Sequence, residues 1–230
     1  QLKCLIMIGS MRMKMTSNNL KIAEYLDELF PNPQCELIYH KDYELLIAIV
    51  LSAQSTDKRV NSVTPILFHK YKNLTELSNA DISDLEKILR PIGSYHKKAV
   101  YVREIARTIL NDYQGEVPIN RKKLEALPGV GRKTVNVLFS EYYHLPAFAV
   151  DTHVNRVSKR LYLAKDADSV LQVEQKLKRK FPRDTWSKRH LQMVLFGRYY
   201  CTAKNPKCDN CKLKSICRVH SKKKPNHIEV

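Results

Sequence analysis

Long apolar runs are missing from this chain, and no stretch approaches the ~20 residues that a helical membrane span requires. Leu5 to Ile8 is too short for the core of a secretory signal, and nothing after Met11 reads as a cleavage site. Met7, Met11, Met13 and Met15 precede the first helical pattern and suggest a leader or an over-extended start. An intracellular protein with no membrane partner is therefore expected. Glycine and proline are scarce, at 6 and 10 of 230 residues, which excludes collagen-like and low-complexity chains. Period-two alternation is missing too, and with it the signature of a half-buried sheet. Acidic residues are also in deficit. With 23 Asp+Glu against 40 Lys+Arg the formal charge is +17, which favours a polyanion, either nucleic acid or an anionic surface.

What is present is helical periodicity. Ser17 reads as an N-cap before Leu20, Ala23, Leu26 and Leu29, and Asn32-Pro33 ends that helix. Asp42 caps an apolar run, Leu45 to Leu51, whose length favours a buried helix over a strand. Thr56-Asp57 opens a helix that Pro65 should kink or stop. Ser78 or Asn79 caps the next, with Ile82, Leu85, Ile88 and Leu89, and another runs from Tyr95 to Tyr113. Asp151-Thr152 should cap His153 to Leu163, Asp168 should cap Val170 to Phe181, and Asp184-Thr185 should open Trp186 to Tyr200. The expectation is an all-α fold of roughly ten helices. The run Lys222 to Lys224 reads as a solvated basic tail.

The chain turns on Leu124 to Asn136, LEALPGVGRKTVN. One proline and two glycines within Pro128 to Gly131 cannot continue a helix, so the pattern is helix, hairpin, helix. Gly129 and Gly131 allow close backbone approach, and the second helix starts with free N–H groups suited to a phosphate. Arg132 and Lys133 sit in its first turn, where the macrodipole disfavours cations. That placement suits an anion site, or an amine that must lose its charge.

Cys201, Cys208, Cys211 and Cys217 form a C-x6-C-x2-C-x5-C pattern, while Cys4 and Cys35 stand apart. In a reducing compartment four such cysteines are metal thiolates rather than disulfides. Zinc and a [4Fe–4S] cluster both accept four thiolates, and the spacing alone leaves that choice open.

Taken together, LPGVGRKTVN (127–136), AVDTHVNRVSKR (149–160), LSAQSTD (51–57) and GRYYC (197–201) with the cysteine pattern resemble the endonuclease III family of helix-hairpin-helix DNA glycosylases. The resemblance runs from about Ser17 to Arg218. It implies two helical lobes flanking a DNA-binding cleft. One is a six-helix barrel over 35–145 carrying the hairpin; the other joins 1–34 to 146–230 around a [4Fe–4S] cluster held by the four cysteines. It implies a monomer that binds double-stranded DNA containing a damaged base or abasic site. Its activity would be removal of oxidised pyrimidines, followed by cleavage 3′ to the abasic site.

In that family pattern Lys133 is the nucleophile, and burial together with the positive helix end would lower its affinity for a proton. Asp151 would stabilise positive charge developing on the sugar, though an Asp before Thr-His-Val is also an ordinary N-cap. Gln54 would fill the gap left by a flipped nucleotide. Gly129, Gly131 and Arg132 would grip phosphate, as would Lys204 and Lys207 in the first cluster loop, and His153 would support the site. The chain departs from the family at Ser94, where a leucine wedge is usual, leaving Tyr95 or His96 to take that part. Lys133 argues against a monofunctional mismatch glycosylase, and the cysteine pattern argues against relatives acting on 8-oxoguanine. A non-catalytic, zinc-stapled DNA-binding module would need neither Lys133 nor Asp151.

Overall fold

The computed structural model describes residues 15–221. The methionines before Met15, Cys4 and the run Lys222–Lys224 lie outside the described residues. Within them the regular structure is helical, with twelve α-helices, short 3-10 and π turns, and no strand. The chain forms two compact units: Pro33–Asp151, and the described residues before Pro33 and after Asp151.

The first unit holds α2 (Asp42–Leu51), α3 (Asp57–Lys70), α4 (Leu74–Ser78), α5 (Ile82–Leu89), α6 (Tyr95–Tyr113), α7 (Arg121–Glu125) and α8 (Arg132–Glu141). Helix α2 is its core: every residue from Tyr43 to Leu51 is buried, and α3, α6 and α8 pack around it. An apolar run of this kind forms a helix because it is surrounded on all sides. At its start the Glu44 carboxylate accepts from the backbone N–H groups of His40 and Lys41, at 2.8 and 3.3 Å. The cap position is thus Lys41, one residue before Asp42.

Pro65 does not end α3, which continues to Lys70. Pro65 lies on the exposed side, while Val60, Val63, Thr64 and Leu67 are buried on the other. That buried stripe outweighs the ~3 kcal/mol a mid-helix proline costs. The sequence pattern also missed a short helix. Residues 74–78 form α4, capped by Asn73, and α5 is capped by Asp81 rather than by Ser78 or Asn79.

The second unit comprises α1 (Ser17–Leu29), α9 (Thr152–Arg160), α10 (Val170–Lys180), α11 (Trp186–Leu195) and α12 (Arg218–Ser221). Thr16 and Ser169 are the caps of α1 and α10, each one residue from the expected position. Asp168 is used otherwise: its carboxylate accepts from Lys165 N at 2.6 Å and from Lys176 Nζ. Arg189 and Gln192 of α11 finish the C-terminal end of α1. Arg189 donates to Ala23 O and the Asp27 carboxylate, and Gln192 donates to Leu26 O and Phe30 O. Burial pushes the Asp27 carboxyl up, but hydrogen bonds from Arg189, Lys188 and Gln192 prevail and hold it below the ordinary range.

The helix expected over Trp186–Tyr200 changes character at Phe196, where a π turn runs to Tyr200 and Cys201 N donates to Phe196 O at 2.6 Å. A Cβ on Gly197 would lie 2.8 Å from His153 Cβ, so glycine lets this turn press on α9.

Two glycines of the central hairpin behave differently. Gly129 has φ +76°, and an added Cβ would lie 2.6 Å from the Tyr101 ring and 3.1 Å from Val50. Gly131 has φ −113°, and an added Cβ would meet nothing within 4 Å. Gly129→Ala should therefore cost about 2–4 kcal/mol and lower the unfolding midpoint by roughly 5–10 °C, whereas Gly131→Ala should leave it nearly unchanged. Thermal unfolding of both variants checks this; equal midpoints would contradict it.

Candidate active site

The hairpin is pinned from within. Leu124, Leu127 and Val130 are buried, Leu127 N donates to Leu124 O, and Val130 N donates to Leu127 O at 3.1 Å. Asn120 caps α7 through Lys123 N. Helix α8 then opens at Gly131, which has no side chain with which to cap it, so the start of α8 lies at the hairpin.

Gly129, Gly131, Arg132 and Lys133 are all exposed, while Thr134 to Leu138 are buried. The expected burial of Lys133 is thus not found. The reason is position: the second residue of a helix entered from a surface hairpin points away from the face that packs on α2. Its surroundings include a group the sequence did not single out. Burial pushes the Cys35 thiol up to about 12, with Glu141 and Asp57 adding to the rise and the Lys133 ammonium opposing it. The charge of Lys133 is thus felt at Cys35, a half-buried thiol.

Asp151 is half-buried and ends a segment, Ala147–Val150, that is buried throughout. That segment is fastened to α8. Asn136, one turn after Lys133 and 1% exposed, donates from Nδ2 to Phe148 O at 3.0 Å, and its Oδ1 accepts from Arg121 of α7. The helix that carries Lys133 therefore also holds the strand-like link leading to Asp151.

Gln54 lies three residues beyond α2, exposed, in a left-handed backbone conformation at φ +56°. Ser94 precedes α6 at φ +57°, and a Cβ on Gly93 would come within 3.8 Å of Gln54 O. The loops carrying the expected gap-filling and wedge positions are thus neighbours. His96 is paired with Glu86 at 2.9 Å and its ring lies 4.0 Å from that of Tyr95.

In the other unit Cys201, Cys208, Cys211 and Cys217 line one cavity, together with Phe196 and Tyr200. Short turns bring them there: Cys211 N donates to Cys208 O at 3.1 Å, and Cys217 N to Lys214 O at 3.3 Å. Burial pushes the Cys201 and Cys211 thiols up, and Arg160, whose Nη1 donates to Cys201 Sγ at 3.3 Å, opposes this at Cys201. Among the described residues no three His, Cys, Asp or Glu side chains gather closely enough to hold a single metal ion. Lys204 and Lys207 are exposed on the loop between the first two cysteines, with Lys207 Nζ 5.9 Å from the Tyr200 ring centre. His153 lies against Gly197, and its Nδ1 contacts Arg156 Nη2 at 3.3 Å, a packing role in this unit. Among the described residues, no helix is long and apolar enough to cross a membrane.

An all-helical chain with a glycine hairpin opening a helix, followed by a four-cysteine cavity, can be set beside known proteins. Residues 47–183 match the family of HhH-GPD superfamily base excision DNA repair proteins. Endonuclease III of Bacillus subtilis (strain 168) is 45% identical over 209 residues, covering 89% of this chain and 95% of the relative. Endonuclease III of Escherichia coli (strain K12) is 37% identical over 206 residues, covering 90% and 97%. The solved structure of a trapped endonuclease III–DNA covalent intermediate, an estranged-adenine complex, matches with a TM-score of 0.86 at 43% identity, over 90% of this chain and 99% of that one. A thermostable thymine-DNA glycosylase shares the fold, with a TM-score of 0.78 at 23% identity over 89% and 97%. This chain belongs to the HhH-GPD superfamily and, within it, to the endonuclease III family.

The Asn136 bridge makes a direct prediction. Asn136→Leu keeps the volume but leaves Phe148 O buried without that donor and Arg121 without that acceptor. Urea denaturation should show a loss of about 2–3 kcal/mol; a loss below about 0.5 kcal/mol would mean the bridge does not hold the link.

Proposed function

We propose that this protein is a bifunctional DNA N-glycosylase of base excision repair. It removes oxidised pyrimidines from duplex DNA and cuts 3′ to the abasic site by β-elimination through a Schiff base on Lys133. The observation that carries the reading is the coupling of Lys133, at the hairpin end of α8, to the Asp151 link through Asn136. The four-motif resemblance and the family membership support it. The 35–145 barrel and the discontinuous cluster lobe are the division of labour that goes with it.

The damaged nucleotide is flipped out of the stack, at a cost of a few kcal/mol that damage reduces. The neutral Lys133 amine attacks C1′ as the C1′–N bond to the base breaks, and the base departs with the electron pair and takes up a proton. The Asp151 carboxylate stabilises positive charge as it grows on the sugar. Nitrogen then gives up its proton and the ring opens, leaving an iminium at C1′. Loss of a proton from C2′ breaks the C3′–O bond, and the 3′-phosphate leaves. Water finally releases the lysine. Because Lys133 is exposed, bound DNA itself must supply the cover that keeps water from the amine.

Phosphate is gripped at the start of α8, where Gly131 offers open space for the backbone and Arg132 adds charge. Gln54 fills the vacated stack, with Lys204 and Lys207 against the backbone and His153 as support. The partner is double-stranded DNA bound by a monomer, in a bacterial-type cytoplasm at the nucleoid.

Four thiols on one cavity fit a [4Fe–4S] cluster, whose sulfur ligands stand further apart than those of one zinc ion. Cys201, Cys208, Cys211 and Cys217 would hold it, and it would stiffen the loop of Lys204 and Lys207 without entering the reaction.

Two measurements test this reading. Lys133→Gln should lose strand scission of an oxidised-pyrimidine duplex by at least about 10³-fold; near-normal scission would exclude the nucleophile. The purified protein should absorb visible light as an iron–sulfur protein; a colourless protein with one bound zinc would exclude the cluster.

A further inference from the structure

Lys98 is a buried charge that the reaction does not use. It sits in the first turn of α6, 4% exposed, where a cation is disfavoured both by the macrodipole and by loss of water. Burial alone draws its ammonium below the ordinary lysine range, and no carboxylate pairs with it among the described residues. Its side chain instead donates to Ala53 O at 2.8 Å and to Ser55 Oγ at 3.1 Å, on either side of Gln54. Its backbone N–H donates to Ser94 O at 3.1 Å. That backbone bond is the first of the helix and any residue at 98 would make it; the lysine side chain adds the tie from this turn, which Ser94 opens, to the Gln54 loop. Each loop carries a non-glycine residue in the left-handed region, Gln54 at φ +56° and Ser94 at φ +57°. Such conformations persist only where surrounding contacts hold them. An apolar side chain at 98 would cost the fold less, but it would leave Ala53 O and Ser55 Oγ without this donor.

We propose that Lys98 is a positioning residue that locks the Gln54 and Ser94 loops together, so that they enter the duplex as one unit when a nucleotide is flipped. The proposal rests on the glycosylase–lyase reading above. A serine cannot intercalate as a leucine does, so in this chain the fixed pairing of two loops does the work of one large side chain.

The test compares duplex and single-stranded substrates. In a duplex the vacated stack must be filled; in a single-stranded abasic oligonucleotide there is no gap. Lys98→Met should lower the ratio of excision from an oxidised-pyrimidine duplex to scission of that oligonucleotide by about tenfold. Ser55→Ala, which removes one acceptor and leaves the fold intact, should lower it about threefold. In a double-mutant cycle, Gln54→Ala combined with Lys98→Met should lose little more than the larger single loss, because one acts through the other. Equal losses on both substrates, or losses that multiply in the double variant, would overturn the proposal and leave Lys98 a staple of the fold. Failure of wild-type protein to form a borohydride-reduced adduct with the single-stranded substrate would instead count against the Lys133 chemistry, so the two failures are distinguishable.

Discussion

The candidate site depends on a single buried amide. Asn136 accepts from Arg121 and donates to Phe148 O, and so joins α7, α8 and the link to Asp151 in one hydrogen-bonded chain. The Phe148 carbonyl is costly to deprive of this donor because it is buried, whereas Arg121 also pairs with Glu125 at 3.0 Å. The arrangement is therefore fixed by what its disruption would cost. A lysine beside a surface hairpin, such as Lys133, gains the rigidity of the core beneath it without being buried there.

The hairpin divides two demands between two glycines. Gly129 serves the fold, because only a residue without Cβ takes φ +76° against the Tyr101 ring. Gly131 serves what lies outside: its backbone is ordinary, and the space a Cβ would occupy is open. The sequence presents both as one motif, and only the packing separates them. The four cysteines show a similar economy. A π turn, two tight turns and a short 3-10 segment (Lys214–Ile216) bring residues spread over Cys201–Cys217 to one cavity, while arginines of α9 satisfy the carbonyls that this irregular path leaves free.

Much of this was legible beforehand. The run Leu45–Leu51, the hairpin and the cysteine pattern are punctuated by residues with few conformational choices, so their local chemistry points to one outcome. Caps moved by a residue where two capable side chains adjoin, as with Thr16 and Ser17 or Asp168 and Ser169. Pro65 failed as a stop because burial of its neighbours outweighed one missing hydrogen bond. Exposure of Lys133 and burial of Lys98 could not be read from the chain, since both lysines sit in the first turn of a helix and differ only in what packs against them. Cys35 looked inert for the same reason; the burial that pushes its thiol up is a tertiary fact.

The central claim is that Lys133 forms the covalent bond to deoxyribose. Borohydride reduction of the wild-type protein on an oxidised-pyrimidine duplex, followed by nuclease and protease digestion and mass mapping, locates the modified residue. The account predicts a sugar remnant on the peptide containing Lys133 and on no other lysine. Its appearance on Lys98, on another lysine or at the N-terminus, with Lys133 unmodified, would contradict it.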